Sequence, residues 1–137
     1  MSNQFAGQHY ELNMMHFLRA TFVFGDDGSV ISLGWVPDNA SIIRGGVVVT
    51  EAFDAGTTNV LDIGFRESGD GTTTDDDEYA TDLALGTIGV IDTDQMAGAG
   101  DAHHPLGAEI TCTVDLTGAA ATTGAAVVWV EYIVPNA

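Results

Sequence analysis

Between Glu109 and Thr117 every second residue is apolar: Ile110, Cys112, Val114 and Leu116 alternate with Glu109, Thr111, Thr113 and Asp115. A period of two puts all four apolar side chains on one side of an extended chain, which is a strand with one face in a core. Phe17 to Phe24 repeats the pattern, with Leu18, Ala20, Phe22 and Phe24 on the buried face and Arg19 and Thr21 opposite. Val60 to Arg66 does the same with Leu61, Ile63 and Phe65. Between such runs stand residues that turn a chain. Gly25-Asp26-Asp27-Gly28 tolerates positive φ, so Ser29 to Val36 should return antiparallel. Pro37-Asp38-Asn39-Ala40 stops that strand, Ser41 to Phe53 resumes it, and Asp54 to Asn59 turns again. Gly45-Gly46 has no side chain to pack and predicts a bulge or a close backbone approach. Thr87 to Thr93 reads as extended, whereas Tyr79, Ala80, Leu83 and Ala84 fit helical spacing and predict a helical turn over Tyr79 to Leu85.

Ala126 to Val134 differs from the other strands, since Val128, Val130 and Tyr132 on one face are matched by Val127, Trp129 and Ile133 on the other. Such a strand must be central or must bury its second face against another subunit. Short strands broken about every eight to twelve residues define an all-β chain. Seven or eight of them predict one antiparallel β-sandwich, jelly-roll-like, with two long loops, Ser68 to Glu78 and Asp94 to Gly107. Residues 17–137 form that domain and residues 1–16 an N-terminal arm. The 137 residues suit a single domain. No signal peptide or membrane span is expected, because no apolar run reaches about 18 residues.

Charge narrows the partners. Twenty Asp and Glu against three arginines and no lysine leave a formal charge of −17. No face can supply the basic footprint that nucleic acid or an anionic membrane requires. Hydrophobic residues at 45% still provide a core, so the chain folds rather than remaining disordered.

The candidate chemistry is sparse. Asp70, Asp75, Asp76 and Asp77, together with Asp92 and Asp94, offer hard oxygen ligands for a structural calcium ion, but the alternating spacing of a dedicated calcium loop is absent; the plain alternative is a solvated acidic loop. His103-His104 is a metal-ligand or general-base candidate, although sequence neighbours diverge on a strand. Cys112 lies on an inward face without an indicated base and reads as a small hydrophobe. Trp35 and Trp129 suit a sugar platform, or more simply a core or an interface. No nucleophile elbow, phosphate loop or His-Glu-x-x-His occurs, so neither catalytic residues nor a cofactor are expected.

The block Gly34-Trp35-Val36-Pro37-Asp38-Asn39-Ala40 followed by Ser41-Ile42-Ile43-Arg44-Gly45-Gly46-Val47-Val48-Val49-Thr50, then Phe53 to Asn59 and Leu61 to Gly64, resembles small virion proteins of tailed phages. The likeness spans roughly residues 17 to 135 and is to capsid decoration, or cement, proteins and related head and tail structural proteins. It implies a β-sandwich, a homotrimer, the major capsid protein as partner, a place on the outer surface of the virion capsid, and no enzymatic activity. A trimer of such an acidic chain needs apolar or paired contacts, which singles out Val127, Trp129 and Ile133 with the only permanent cations, Arg19, Arg44 and Arg66. Ordinary intrachain salt bridges are the simpler use of those arginines. Two rival functions remain: a tail fibre-tip or receptor-binding domain reading host glycans through Asp70 to Glu78 and Asp94 to His104, and a cupin-like metal-dependent enzyme using His103 or His104.

Overall fold

A computed structural model describes residues 14–68 and 74–135. The expected arm therefore lies, up to residue 13, outside the described residues, as does Asp70. Nine strands are present among those described: β1 (His16–Val23), β2 (Val30–Val36), β3 (Ala40–Glu51), β4 (Thr58–Ser68), β5 (Asp75–Ala84), β6 (Gly89–Asp92), β7 (His103–His104), β8 (Ala108–Thr117) and β9 (Ala125–Ile133). They form two sheets. The first has the order β1-β9-β3-β6, with the two-residue β7 also on β3, and the second has the order β2-β8-β4-β5. Every pairing is antiparallel.

The alternation read from the sequence places the core. Leu61, Ile63 and Phe65 of β4 and Ile110, Cys112 and Val114 of β8 are fully buried, and β4 and β8 are paired so that Ile63 stands opposite Cys112. Across the sandwich they meet Phe22 of β1, Val47 and Val49 of β3, and Val128 and Val130 of β9. Each large apolar side chain withdrawn in this way contributes on the order of 1.5–3 kcal/mol. β9, apolar on both faces, lies between β1 and β3 at the centre of the first sheet.

Three local expectations fail, each for a physical reason. Phe24 is not on the buried face: β1 ends at Val23, whose N–H is taken by Asp26 Oδ2 at 2.9 Å, and Phe24 is 38% exposed in the following turn. The segment after the turn does not return along β1. Gly28, at φ +76°, donates its N–H to Val114 O at 3.0 Å, and Asp27 Oδ1 accepts the Leu116 N–H at 2.9 Å. These bonds draw the turn onto β8, so β2 joins the second sheet. Tyr79 to Leu85 is strand rather than helical turn. Two register breaks against β4, with Asp82 at φ +55°, disturb the two-residue period, so that Tyr79, Ala80, Leu83 and Leu85 are all buried at a spacing that imitates a helix. Asp75 to Glu78, expected in an exposed loop, is accordingly the first half of β5.

Gly45 and Gly46 mark the expected close approach. A Cβ on Gly45 would strike the Trp129 carbonyl, and one on Gly46 would strike the Ile91 carbonyl and the Trp129 ring.

Candidate functional site

The outer face of the first sheet is built in rows by strand register. Thr21, Val127, Val48 and Val90 stand side by side across β1, β9, β3 and β6. The next row is Arg19, Trp129, Gly46 and Asp92, and the one after it Phe17, Glu131 and Arg44. Phe17 is 64% exposed and Val90 68%. Because Gly46 has no side chain, the Trp129 indole lies down over its backbone. The Arg44 guanidinium covers the ring, its Cζ 5.6 Å from the ring centroid, while its Nε donates to Glu131 Oε2 at 3.1 Å. That stacked and ion-paired geometry is one that arginine makes and lysine does not. Between these side chains is a shallow depression of about 410 Å³ lined by Phe17, Arg19, Arg44, Val127, Trp129 and Glu131.

Four of the six expected interface residues, Arg19, Arg44, Val127 and Trp129, therefore converge. Ile133 shares the face but stands one step beyond Glu131, opposite Ser41. Arg66 is elsewhere, on β4 of the second sheet, where Nε contacts Asp76 Oδ1 at 3.4 Å. Phe17 and Val90 were not singled out from the sequence. The alternation of β1 had already placed Phe17 on the side of Arg19, whereas Val90 needed the pairing of β6 with β3.

The two outer faces differ electrically. On the first sheet Arg19 and Arg44 offset Glu131 and Asp92. On the second, Asp62, Asp76, Asp82 and Asp115 lie close enough for partial burial and mutual repulsion to raise the Asp62 carboxyl above its ordinary value. Asp62 Oδ1 accepts the Asp82 N–H at 2.7 Å.

The calcium candidates are dispersed. Asp75 and Asp77 are near enough that a hydrogen bond between their carboxyls raises Asp77. Asp92 ends β6 beside Gly46, and Asp94 Oδ1 accepts the Thr81 N–H at 3.1 Å. Among the described residues, no group of three or more His, Cys, Asp or Glu side chains converges on a common ion position.

The histidines point apart. His103 Nδ1 meets Ser41 Oγ at 2.6 Å near the surface. His104 is 1% exposed, edge-on to Phe65, with Nε2 2.5 Å from the Tyr79 hydroxyl. That hydroxyl also donates to Asp101 O at 2.9 Å. A carbonyl only accepts, so Tyr79 spends its proton on Asp101, and His104 Nε2–H donates to the Tyr79 oxygen. Burial and the nearby Glu78, Asp101 and Asp75 carboxylates push the Tyr79 phenol far upward, so it stays protonated. The trio fastens the 93–107 connection to the core. Cys112 is equally enclosed, its thiol pushed up to about 12 by burial. Trp35, expected in a core or an interface, is 53% exposed in the single chain, on the other sheet from Trp129.

No protein-family model matches the sequence, and no curated protein matches it. Among solved structures the fold is similar to a chain in the capsid of Ralstonia phage GP4, with TM-score 0.63 and 18% identity over 92% of this chain and 88% of that one. It is also similar to a chain in the acidic stable capsid of Helicobacter pylori bacteriophage KHP30, with TM-score 0.62 and 19% identity over 90% of each chain. A chain of the cyanophage Pam1 capsid asymmetric unit follows, with TM-score 0.55 and 15% identity over 89% of this chain and 84% of that one.

Proposed function

We propose that the protein is a virion structural protein of the capsid decoration type, which binds the outside of the major capsid protein lattice and stabilises it. The observation that carries this reading is the outer face of the first sheet: apolar, locally neutral, and set on a chain of −17. Its similarity to chains of three phage capsids supports the virion setting. In each case the match covers at least 84% of the other chain, so the likeness is to whole subunits of about this size rather than to one domain of a larger shell protein. The strand orders β1-β9-β3-β6 and β2-β8-β4-β5 fit the jelly-roll reading, in which the chain crosses repeatedly between two facing antiparallel sheets.

Function on this reading requires no chemistry. Phe17, Val127 and Trp129 lose water against the shell, Arg19 finds a carboxylate there, and many weak contacts repeated over a lattice hold the coat by avidity. The acidic outer face of the second sheet then points to solvent, which supports a place on the capsid's outer surface. Homotrimeric order rests on the sequence resemblance alone.

The test is attachment to shells assembled from the major capsid protein without this one. Saturating binding, with hundreds of copies per purified virion, is the expected result. Trp129→Ala and Arg19→Glu should each weaken attachment at least tenfold while far-UV circular dichroism is unchanged. A handful of copies per particle, confined to the tail, refutes the proposal in favour of a receptor-binding tip. The covering of Trp129 by Arg44 already argues against that residue as an open sugar platform.

A further inference from the structure

The four outer strands of the sandwich are protected unequally. β2 is interrupted by a register break between Ser32 and Gly34, with Gly34 at φ +131°, and Pro37 follows it. β5 carries Asp75, Asp76, Asp77, Glu78 and Asp82 and two register breaks. β6 has four residues and ends on Asp92. Short length, bulges and charge are the devices by which sheet edges avoid pairing with another chain. β1 is neither short nor bulged, and its one permanent charge is Arg19. Its eight residues pair with β9 in unbroken register, and no described strand covers its other side. Residues 14–25 contain no carboxylate, in a chain with twenty.

The direction of its free groups can be read. Phe24 N–H donates to Gly124 O at 3.1 Å, continuing the β1–β9 ladder. Main-chain groups alternate in direction along a strand, so those of Leu18, Ala20 and Phe22 also face β9, while those of Phe17, Arg19, Thr21 and Val23 face outward. Asp26 Oδ2 occupies the Val23 N–H, which closes one end of the edge.

We propose that this edge pairs antiparallel with β1 of a second copy across a two-fold axis at Ala20, joining the first sheets of two molecules into one. The sequence is self-complementary in that register. Arg19 faces Thr21 and Phe17 faces Val23 on the outer side; each Arg19–Thr21 pair can exchange both main-chain bonds, whereas each Phe17–Val23 pair makes only the bond from Phe17 N–H to Val23 O, because the Val23 N–H stays with Asp26. A register centred on Thr21 retains that parity but is shorter, and one centred on Arg19 is as long but sets two guanidiniums opposite each other. Charge favours the same contact, because two chains of −17 repel least through an edge free of carboxylates; β1 and β2 are the two such edges among the described strands, and β2 is broken at Ser32/Gly34. This contact goes beyond shell attachment and is tested without a shell. Its two-fold order also differs from the threefold order implied by the sequence resemblance.

The experiment is light scattering and sedimentation of the purified full chain, with Thr21→Lys and Thr21→Glu, both at an exposed position. The wild type should show twice 14.3 kDa. Thr21→Lys sets a cation opposite Arg19 at two places and should weaken the pair about three- to thirtyfold, and Thr21→Glu should tighten it by a similar factor. If overall repulsion between acidic chains governed association, the signs would be reversed, because Lys lowers and Glu raises the negative charge; that outcome overturns the proposal. So does a monomer at every concentration, or a trimer indifferent to residue 21. A chain lacking residues 1–13 that pairs when the full chain does not would assign the edge to the protein's own N-terminal segment, again overturning it.

Discussion

Tyr79→Phe removes one oxygen atom and little else, which makes it a direct probe of the bonds that fasten the 93–107 connection. The ring keeps its place beside Phe65, with centroids 6.2 Å apart, and Tyr79 is fully buried, so the apolar transfer contribution barely changes. What is lost is the acceptor for His104 Nε2–H and the donor to Asp101 O. His104 is 1% exposed, and an imidazole N–H left there without a partner costs about 1–3 kcal/mol. The Asp101 carbonyl belongs to a half-buried residue within reach of water, so its share is smaller. The expected loss is about 2–3 kcal/mol. For a chain of this size each kcal/mol lowers Tm by roughly 3–5 °C, which predicts a fall of about 6–15 °C. Urea and thermal unfolding followed by far-UV circular dichroism measure the loss, and hydrogen exchange locates it: amides of residues 99–107 should exchange faster relative to those of β4 and β8. A loss below about 0.5 kcal/mol, or exchange that rises uniformly, would refute the assignment of this trio as the fastening of the loop.

Stability should rise as pH is lowered from neutrality into the carboxylate range. Asp62, Asp77 and Glu78 have carboxyls raised in the folded state, so each detracts from stability at neutral pH, and that cost disappears as pH falls through its folded value. Asp54 has the opposite sign: the Thr122 hydroxyl and the Thr122 and Thr123 N–H groups hold it low, so its contribution is lost only at more acid pH, and Tm should turn downward there. A Tm that only falls as pH is lowered from neutrality, with no rise before the acid downturn, would contradict this account, and Asp62→Asn should raise Tm at neutral pH. Gly46→Ala should cost about 1–3 kcal/mol and shift the Trp129 fluorescence, since a Cβ there meets the Ile91 carbonyl and the indole; an unshifted spectrum at full stability would show that the ring does not lie on that glycine. Cys112 should resist an aromatic disulfide reagent at pH 8 in the native protein and react at once in urea, given a thiol pushed up to about 12; rapid native reaction would place it nearer the surface.

Much of the sandwich is legible one strand at a time. Ile110, Cys112, Val114 and Leu116 face inward as their alternation requires, and the doubly apolar β9 is central. Period-2 alternation survives tertiary context wherever one face is core and the other is not. It fails on β5, where register breaks make Tyr79, Ala80, Leu83 and Leu85 imitate a helix, because a bulge is created by the neighbouring strand rather than by the residues that carry it. It fails again after Gly28, where turn chemistry specifies a reversal but the bonds to β8 decide which sheet receives the next strand.

The candidate site divides in the same way. By itself the sequence determined that Arg19 lies opposite the apolar face of its strand, that Val127 and Trp129 share one face of a strand apolar on both, that three arginines are the only permanent cations, and that an acidic chain must meet its partners through apolar or paired surface. These are statements about single strands and total charge, which do not depend on which strand lies beside which. Only the tertiary structure decided that Arg44 reaches Glu131 and Trp129 across 87 and 85 residues of chain while Arg66 stays with Asp76 on the opposite sheet. Register between strands distant in sequence is set by the packing of the whole core, and only that register turns a stripe of outward residues into a surface.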